Sequence, residues 1–138
     1  MKIAILCIRY FWAFPVSFFG ILLLPLVILS GGSVVIVAGV IEAECVIASF
    51  LLCRLHVSAI TIGHVVFGRN RDSLVRLRNH ELVHVRQYER WGPLFPFLYL
   101  LSSAAAVVRG RDPYRDNRFE QEAFRVAGPP DTTGPQDI

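Results

Sequence analysis

The 138-residue chain is 54% hydrophobic and only 18% charged, with a net charge of +3 and a mean hydropathy of +0.49. That balance excludes a disordered polymer and is too apolar for an ordinary soluble domain, in which about 25% of residues are charged. The basic excess comes from 13 arginines and one lysine interleaved with acidic residues, with no helix-turn-helix, zinc-finger or RNA-binding signature, so nucleic acid is not an expected partner. Cys7, Cys45 and Cys53 are an odd count at spacings that match no CxxC zinc pattern and read as small buried hydrophobes.

Residues 11–29 carry no charge and would extend about 28 Å as a helix, close to the hydrocarbon thickness of a bilayer. The run is too long for the apolar region of a secretory signal and no A-x-A site follows it, so residues 1–32 are expected to be a retained single-pass membrane anchor in contact with lipid. Pro15 and Pro25 interrupt the run, and Tyr10 and Trp12 suit the membrane interface. Lys2 and Arg9 precede the run and no cation follows until Arg54, a bias that places the N-terminus in the cytoplasm and the remaining chain outside.

After the Ser30-Gly31-Gly32-Ser33 break, a second membrane span would put Glu42 and Glu44 in lipid. Their alternation with Ile41, Ala43 and Cys45 predicts a β-hairpin turning at Ala38-Gly39. Residues 57–67 predict one further strand carrying His64 as a packed or solvated residue, so the sheet is expected to be small and antiparallel. Residues 72–91 predict a helix capped by Asp72 or Ser73 and stopped by Gly92-Pro93. Its stripe Leu74, Leu77, Glu81, His84 and Tyr88 turns from apolar to ionisable as it proceeds, which packing alone does not require.

Within that helix stands His80-Glu81-Leu82-Val83-His84. Histidines four apart share one helix face about one turn apart, so two imidazoles can reach one tetrahedral zinc ion. The intervening Glu81 lies to the side, placed to act as the catalytic base towards a water acidified by the metal. A catalytic site needs a third protein ligand and an open position. Residues 116–124 have helical potential and offer Glu120 and Glu122 as carboxylates.

The HExxH sequence followed by a short E-x-x-A segment resembles the gluzincin, thermolysin-like metallopeptidases. The resemblance is nearest to the small membrane-associated branch related to the CAAX prenyl proteases, whose E-x-x-A-D motif supplies the third zinc ligand. It covers residues 57–126 at most, and implies that Glu120 is that ligand and that Ala123 matches the motif alanine. Phe124 stands where the family has an aspartate that orients a zinc histidine. Asp116, Asn117 or Glu122 could substitute for it, and Glu122 is the alternative ligand. The family pattern also places an antiparallel edge strand beside the cleft, where an extended peptide substrate pairs; residues 57–67 are the candidate. Tyr114 is a candidate donor to the scissile carbonyl or else a turn residue, while Arg86 and Gln87 read as solvated helix residues.

Residues 93–108 are apolar but too short to cross a bilayer, and a crossing would separate His80 and His84 from Glu120; they predict a helix packed in the domain or lying in the membrane interface. Residues 128–138, rich in Pro and Gly, predict a disordered tail. The expected fold is thus α+β: an N-terminal transmembrane helix, then a minimal zincin-like domain over residues 33–127 with a small antiparallel sheet and an HExxH helix. The expected function is a membrane-anchored zinc metallopeptidase acting on a peptide or protein substrate. The rival readings are a structural or regulatory zinc site without turnover, and a metal-free membrane interaction protein; the sequence indicates no oligomeric state.

Overall fold

The computed structural model describes residues 2–128, with side chains from Cys7 onward. The chain forms a mixed α+β fold in the order α1 (Lys2–Leu29), β1 (Ser33–Val37), β2 (Val40–Glu44), α2 (Val46–Arg54), β3 (Ala59–Ile62), β4 (Val65–Gly68), α3 (Arg71–Trp91), a 3-10 turn (Gly92–Leu94), α4 (Phe95–Val108) and α5 (Arg118–Ala127). The tail expected after Gly128 and the Lys2 side chain lie outside the described residues.

The β1–β2 hairpin forms as the alternation predicts. Ala38 and Gly39 both adopt positive φ, at 52° and 79°, the turn that matches the right-handed twist of the flanking strands. Residues 57–67, in contrast, are not one strand. The chain reverses at Gly63-His64, where Gly63 has a φ of 64° and a Cβ would collide with Ser17 of α1, so β3 and β4 form a second hairpin. The sheet order is β1-β2-β4-β3. Because α2 and β3 carry the chain away and back, β4 re-enters in the direction of β2 and pairs with it in parallel, Ile41 opposite Val65 and Glu44 opposite Gly68. The sheet is therefore mixed rather than antiparallel throughout, and α2, which the strand pattern did not predict, is the crossover. Cys45 caps α2 by accepting from the Ala48 N–H; Cys7 and Cys53 are exposed rather than buried.

Both sheet faces are covered. On one, Val27 and Leu24 of α1 pack with Ala43, Val65 and Phe67. On the other, Leu74 and Val85 of α3 pack with Val40 and Val66. A third cluster joins α1 to the C-terminal half of α3 and to α4 through Ala13, Tyr88 and Phe95. Segment 2–29 thus lies lengthwise on the fold, turning in a stripe of small or compact residues (Ala13, Ser17, Gly20, Val27) that are buried. At Gly20 a Cβ would sit 2.9 Å from the Ile62 carbonyl oxygen, so only glycine permits this approach. The outer flank of α1 remains apolar and open, with Phe11 80% and Leu29 83% exposed. By length and composition α1 can cross a membrane, as can the continuous α3–α4 stretch Arg71–Val108. The 14-residue α4 by itself rises about 21 Å, short of a bilayer core of about 30 Å.

His64, expected on a strand face, sits in the β3–β4 turn. Its ring stacks on Tyr10 at 4.2 Å, its Nδ1 lies 2.9 Å from Ser17 Oγ and its Nε2 lies 3.5 Å from Glu89 Oε1. It ties α1 to α3 at a distance from the HExxH histidines.

Candidate metal centre

Helix α3 starts one residue earlier than predicted, with Asn70 rather than Asp72 or Ser73 as N-cap; its side chain accepts from the Ser73 N–H at 2.8 Å. It ends where Gly92 takes a φ of 53° beneath Trp12. The helix is clamped to the sheet by Glu42, which accepts from Arg78 Nε (2.6 Å) and Nη2 (3.0 Å) and from Arg71 Nη1 (3.1 Å). This pairing explains Glu42 in β2: its carboxylate is buried against α3, with every oxygen partnered by arginine.

Farther along α3, the i and i+4 spacing turns His80 and His84 inward on one face. Helix α5 supplies the third group. Asn117 caps α5 by accepting from the Phe119 N–H at 2.9 Å, while its amide donates to the Tyr99 carbonyl (3.1 Å) and to Ser103 Oγ (2.8 Å) of α4. Being fully buried, it fixes Glu120 in the first turn of α5, and Ala123, also fully buried, lets α5 lie close to α3.

The result is a buried group of His80, His84 and Glu120 whose ligand atoms lie within 4.8 Å of one another. The two Nε2 atoms are 3.1 Å apart, His80 Nε2 is 3.1 Å from Glu120 Oε2, and His84 Nε2 is 3.4 Å from Glu120 Oε1. Donors bound at about 2.0–2.2 Å to a tetrahedral metal stand about 3.3–3.6 Å from each other, so the set is close to the size a metal ion requires. Glu120 Oε2 is buried without a hydrogen-bond partner, and its other oxygen accepts from Tyr99 Oη at 2.7 Å. The donor set and this orphaned oxygen fit a metal ion.

Electrostatics agree with that geometry. Burial opposes the ionisation of Glu120, but the adjoining His80 and His84 imidazoles and the Tyr99 hydroxyl prevail and lower its pKa to about 2. Burial likewise opposes charge on His84, yet the hydrogen bond and charge of Glu120, with the nearby Glu81 charge, hold it above its ordinary value of 6.5. The His84 imidazolium and the Glu120 carboxylate thus favour each other's charge.

The two histidines are oriented differently. His84 Nδ1 lies 2.8 Å from Gln87 Oε1, and the Gln87 amide is oriented because its Nε2 donates to the Phe119 carbonyl (3.1 Å) and to Glu122 Oε2 (2.9 Å). Oε1 can only accept, so Nδ1 carries the proton and Nε2 of the neutral ring turns a lone pair inward. Gln87 is therefore a buried positioning residue and not the solvated residue expected; Arg86 is exposed as expected. Phe124 packs on the His80 ring at 4.9 Å, and His80 Nδ1 is left without a hydrogen bond.

Glu81 accepts from Thr61 Oγ1 of the edge strand β3 at 2.6 Å, a contact that sequence reasoning missed because Thr61 falls in an otherwise apolar alternation. Glu122 lies behind Gln87 and does not join the histidines. Asp116 accepts from the Asp112 N–H at 3.0 Å and belongs to the loop before α5, so neither Asp116 nor Asn117 replaces the missing aspartate. Tyr114 packs on Phe124 at 6.0 Å, and burial, then the Glu120 and Glu81 charges, push its phenol well above its usual value. It remains a protonated hydroxyl at the rim of the site. Compared with protein-family models, curated proteins and solved structures, the chain gives no significant match.

Proposed function

We propose that the chain is a membrane-attached zinc metallopeptidase of the gluzincin type, with α1 as its membrane attachment. The observation that carries this reading is the convergence of two histidines and a glutamate with an orphaned oxygen, beside a glutamate held by an edge strand. His80, His84 and Glu120 would hold zinc, which when bound would acidify water at its open position and polarise a carbonyl.

The chain's own residues supply the rest. Glu81 takes the proton of the attacking water and returns it to the leaving amine nitrogen, so the carboxylate is regenerated as the peptide bond breaks. The Thr61 hydroxyl engages Glu81 Oε2, which leaves Oε1 for that exchange. Strand β3 has one unpaired edge and can pair with an extended peptide, bringing the scissile bond alongside Glu81. Tyr114, protonated through neutral pH, can donate to the carbonyl oxygen as negative charge develops there.

A second reading, a zinc site without turnover, is favoured by Phe124 and the unpartnered His80 Nδ1. Cleavage of a denatured-protein or peptide library by purified full chain, compared with Glu81→Gln, separates the two. Peptidase function predicts a loss of about 10²–10⁴-fold in kcat with zinc content unchanged. Bound zinc with no Glu81-dependent cleavage would favour the structural role.

A further inference from the structure

We infer that the outward face of α4, together with the arginines that follow it, seats the protein on an anionic lipid surface. This rests on the membrane part of the proposed function and not on catalysis.

Helix α4 has two unlike faces. The inner one is fully employed: Phe95 packs on Tyr88, Tyr99 reaches Glu120, and Ser102 and Ser103 receive the first residues of α5. The outer one recurs at helical spacing through Phe97, Leu101 and Val108, which are 67%, 66% and 87% exposed. A face so apolar on a helix only 14 residues long is too short to cross a bilayer but suits its boundary.

Charge identifies the occupant. Arg109, Arg111 and Arg115, at the end of α4 and in the loop to α5, and Arg118, which opens α5, are exposed, and none forms an ion pair among the described residues. The acidic residues of that loop are already engaged: Asp112 accepts from the Tyr114 and Arg115 N–H groups and Asp116 from that of Asp112. An apolar helix face ending in free arginines complements hydrocarbon bordered by phosphate, and each such arginine near an anionic surface strengthens binding about fivefold.

Continuity points the same way. Trp12 of α1 lies over Gly92 and Ala13 meets Phe95, so the open flank of α1 adjoins the start of α4. The strands packed along α1 leave free backbone edges at β1 and β3, which hydrocarbon does not solvate. The bilayer therefore lies against the helical faces and does not surround the fold.

The test uses full chain with Cys7, Cys45 and Cys53 replaced by serine and an environment-sensitive fluorophore on Leu101→Cys, in vesicles of phosphatidylcholine with or without phosphatidylglycerol. A label on Arg76→Cys, exposed on α3, is the control, and each variant must match the parent's circular-dichroism melt. The expected result is a blue-shifted Leu101 label shielded from an aqueous quencher in the anionic vesicles. Shielding should fall to the phosphatidylcholine level when all four arginines become glutamine, with the Arg76 label in water throughout. A chain that floats with vesicles while its Leu101 label stays in water overturns the inference and leaves the α1 attachment standing; a chain that does not float overturns both. Shielding independent of the arginines, or lipid-independent shielding with Leu101→Cys cross-links between copies, also overturns it, the last result assigning the face to a second copy of the chain.

Discussion

Glu42 and Glu120 are both buried carboxylates facing α3, 4% and 3% exposed, yet they differ in what surrounds them. Glu42 is saturated by two guanidiniums, each of its oxygens accepting from arginine. Glu120 faces two imidazoles and keeps one oxygen without a hydrogen bond. The first arrangement fastens a helix to a sheet. The second is exchangeable, the proton favoured on His84 giving way to a cation.

The sharpest way to break this contrast is to remove each carboxylate in turn. Glu120→Ala should abolish stoichiometric zinc, measured by elemental analysis, while the metal-free chain keeps its fold. Glu42→Ala should retain zinc but lose about 2–3 kcal/mol in denaturant unfolding; this is below the usual cost of breaking a buried pair because Arg71 and Arg78 still reach water. If both variants lost metal and stability together, the two clusters would not be distinct. A smaller effect is expected at Gln87. Its replacement by alanine frees the His84 ring and should weaken zinc affinity about 10–100-fold in competition with a chromophoric chelator; unchanged affinity would remove Gln87 from the positioning network.

The smallest and most diagnostic effect is with pH. Because His84 is held above 6.5, its pairing with Glu120 stabilises the metal-free chain fully below that ordinary value and is lost as pH rises through the raised one. The Glu120 contribution runs the other way, present above its ordinary value of 4.5 and lost as pH falls towards about 2. Zinc requires neutral histidine, so its affinity should fall up to about tenfold per pH unit below the raised His84 value. The Tm increment given by zinc should therefore grow from about pH 6 to about pH 8; an increment that shrank over that range would contradict the exchange.

These two clusters were unequally legible in the sequence. His80 and His84 were readable because helical spacing alone puts them on one face, and the β1–β2 hairpin because Glu42 and Glu44 alternate with apolar residues. Glu120 required a family resemblance, since no local pattern links it to a helix some forty residues earlier. The partners of Glu42 were not readable, because Arg71 and Arg78 look like ordinary surface residues until the sheet lies beneath them. The division of residues 57–67 into β3 and β4 was hidden because strand-forming residues continue on both sides of Gly63; the turn is enforced by Ser17 of α1, a tertiary contact. The small-residue stripe of α1 was present in the sequence but masked by a run in which nearly every residue is apolar. Gln87 reads as solvated alongside Arg86, because a glutamine after an arginine gives no sign of which one turns inward.

The most direct test of the central claim is zinc-edge X-ray absorption on purified full chain, with metal stoichiometry measured on the same sample. The account predicts one zinc per chain, with two imidazole nitrogens and a carboxylate oxygen at about 2.0–2.2 Å and the oxygen contribution altered in Glu120→Ala. A chain that takes up no stoichiometric zinc, or one whose zinc environment is the same with and without the Glu120 carboxylate, would contradict it.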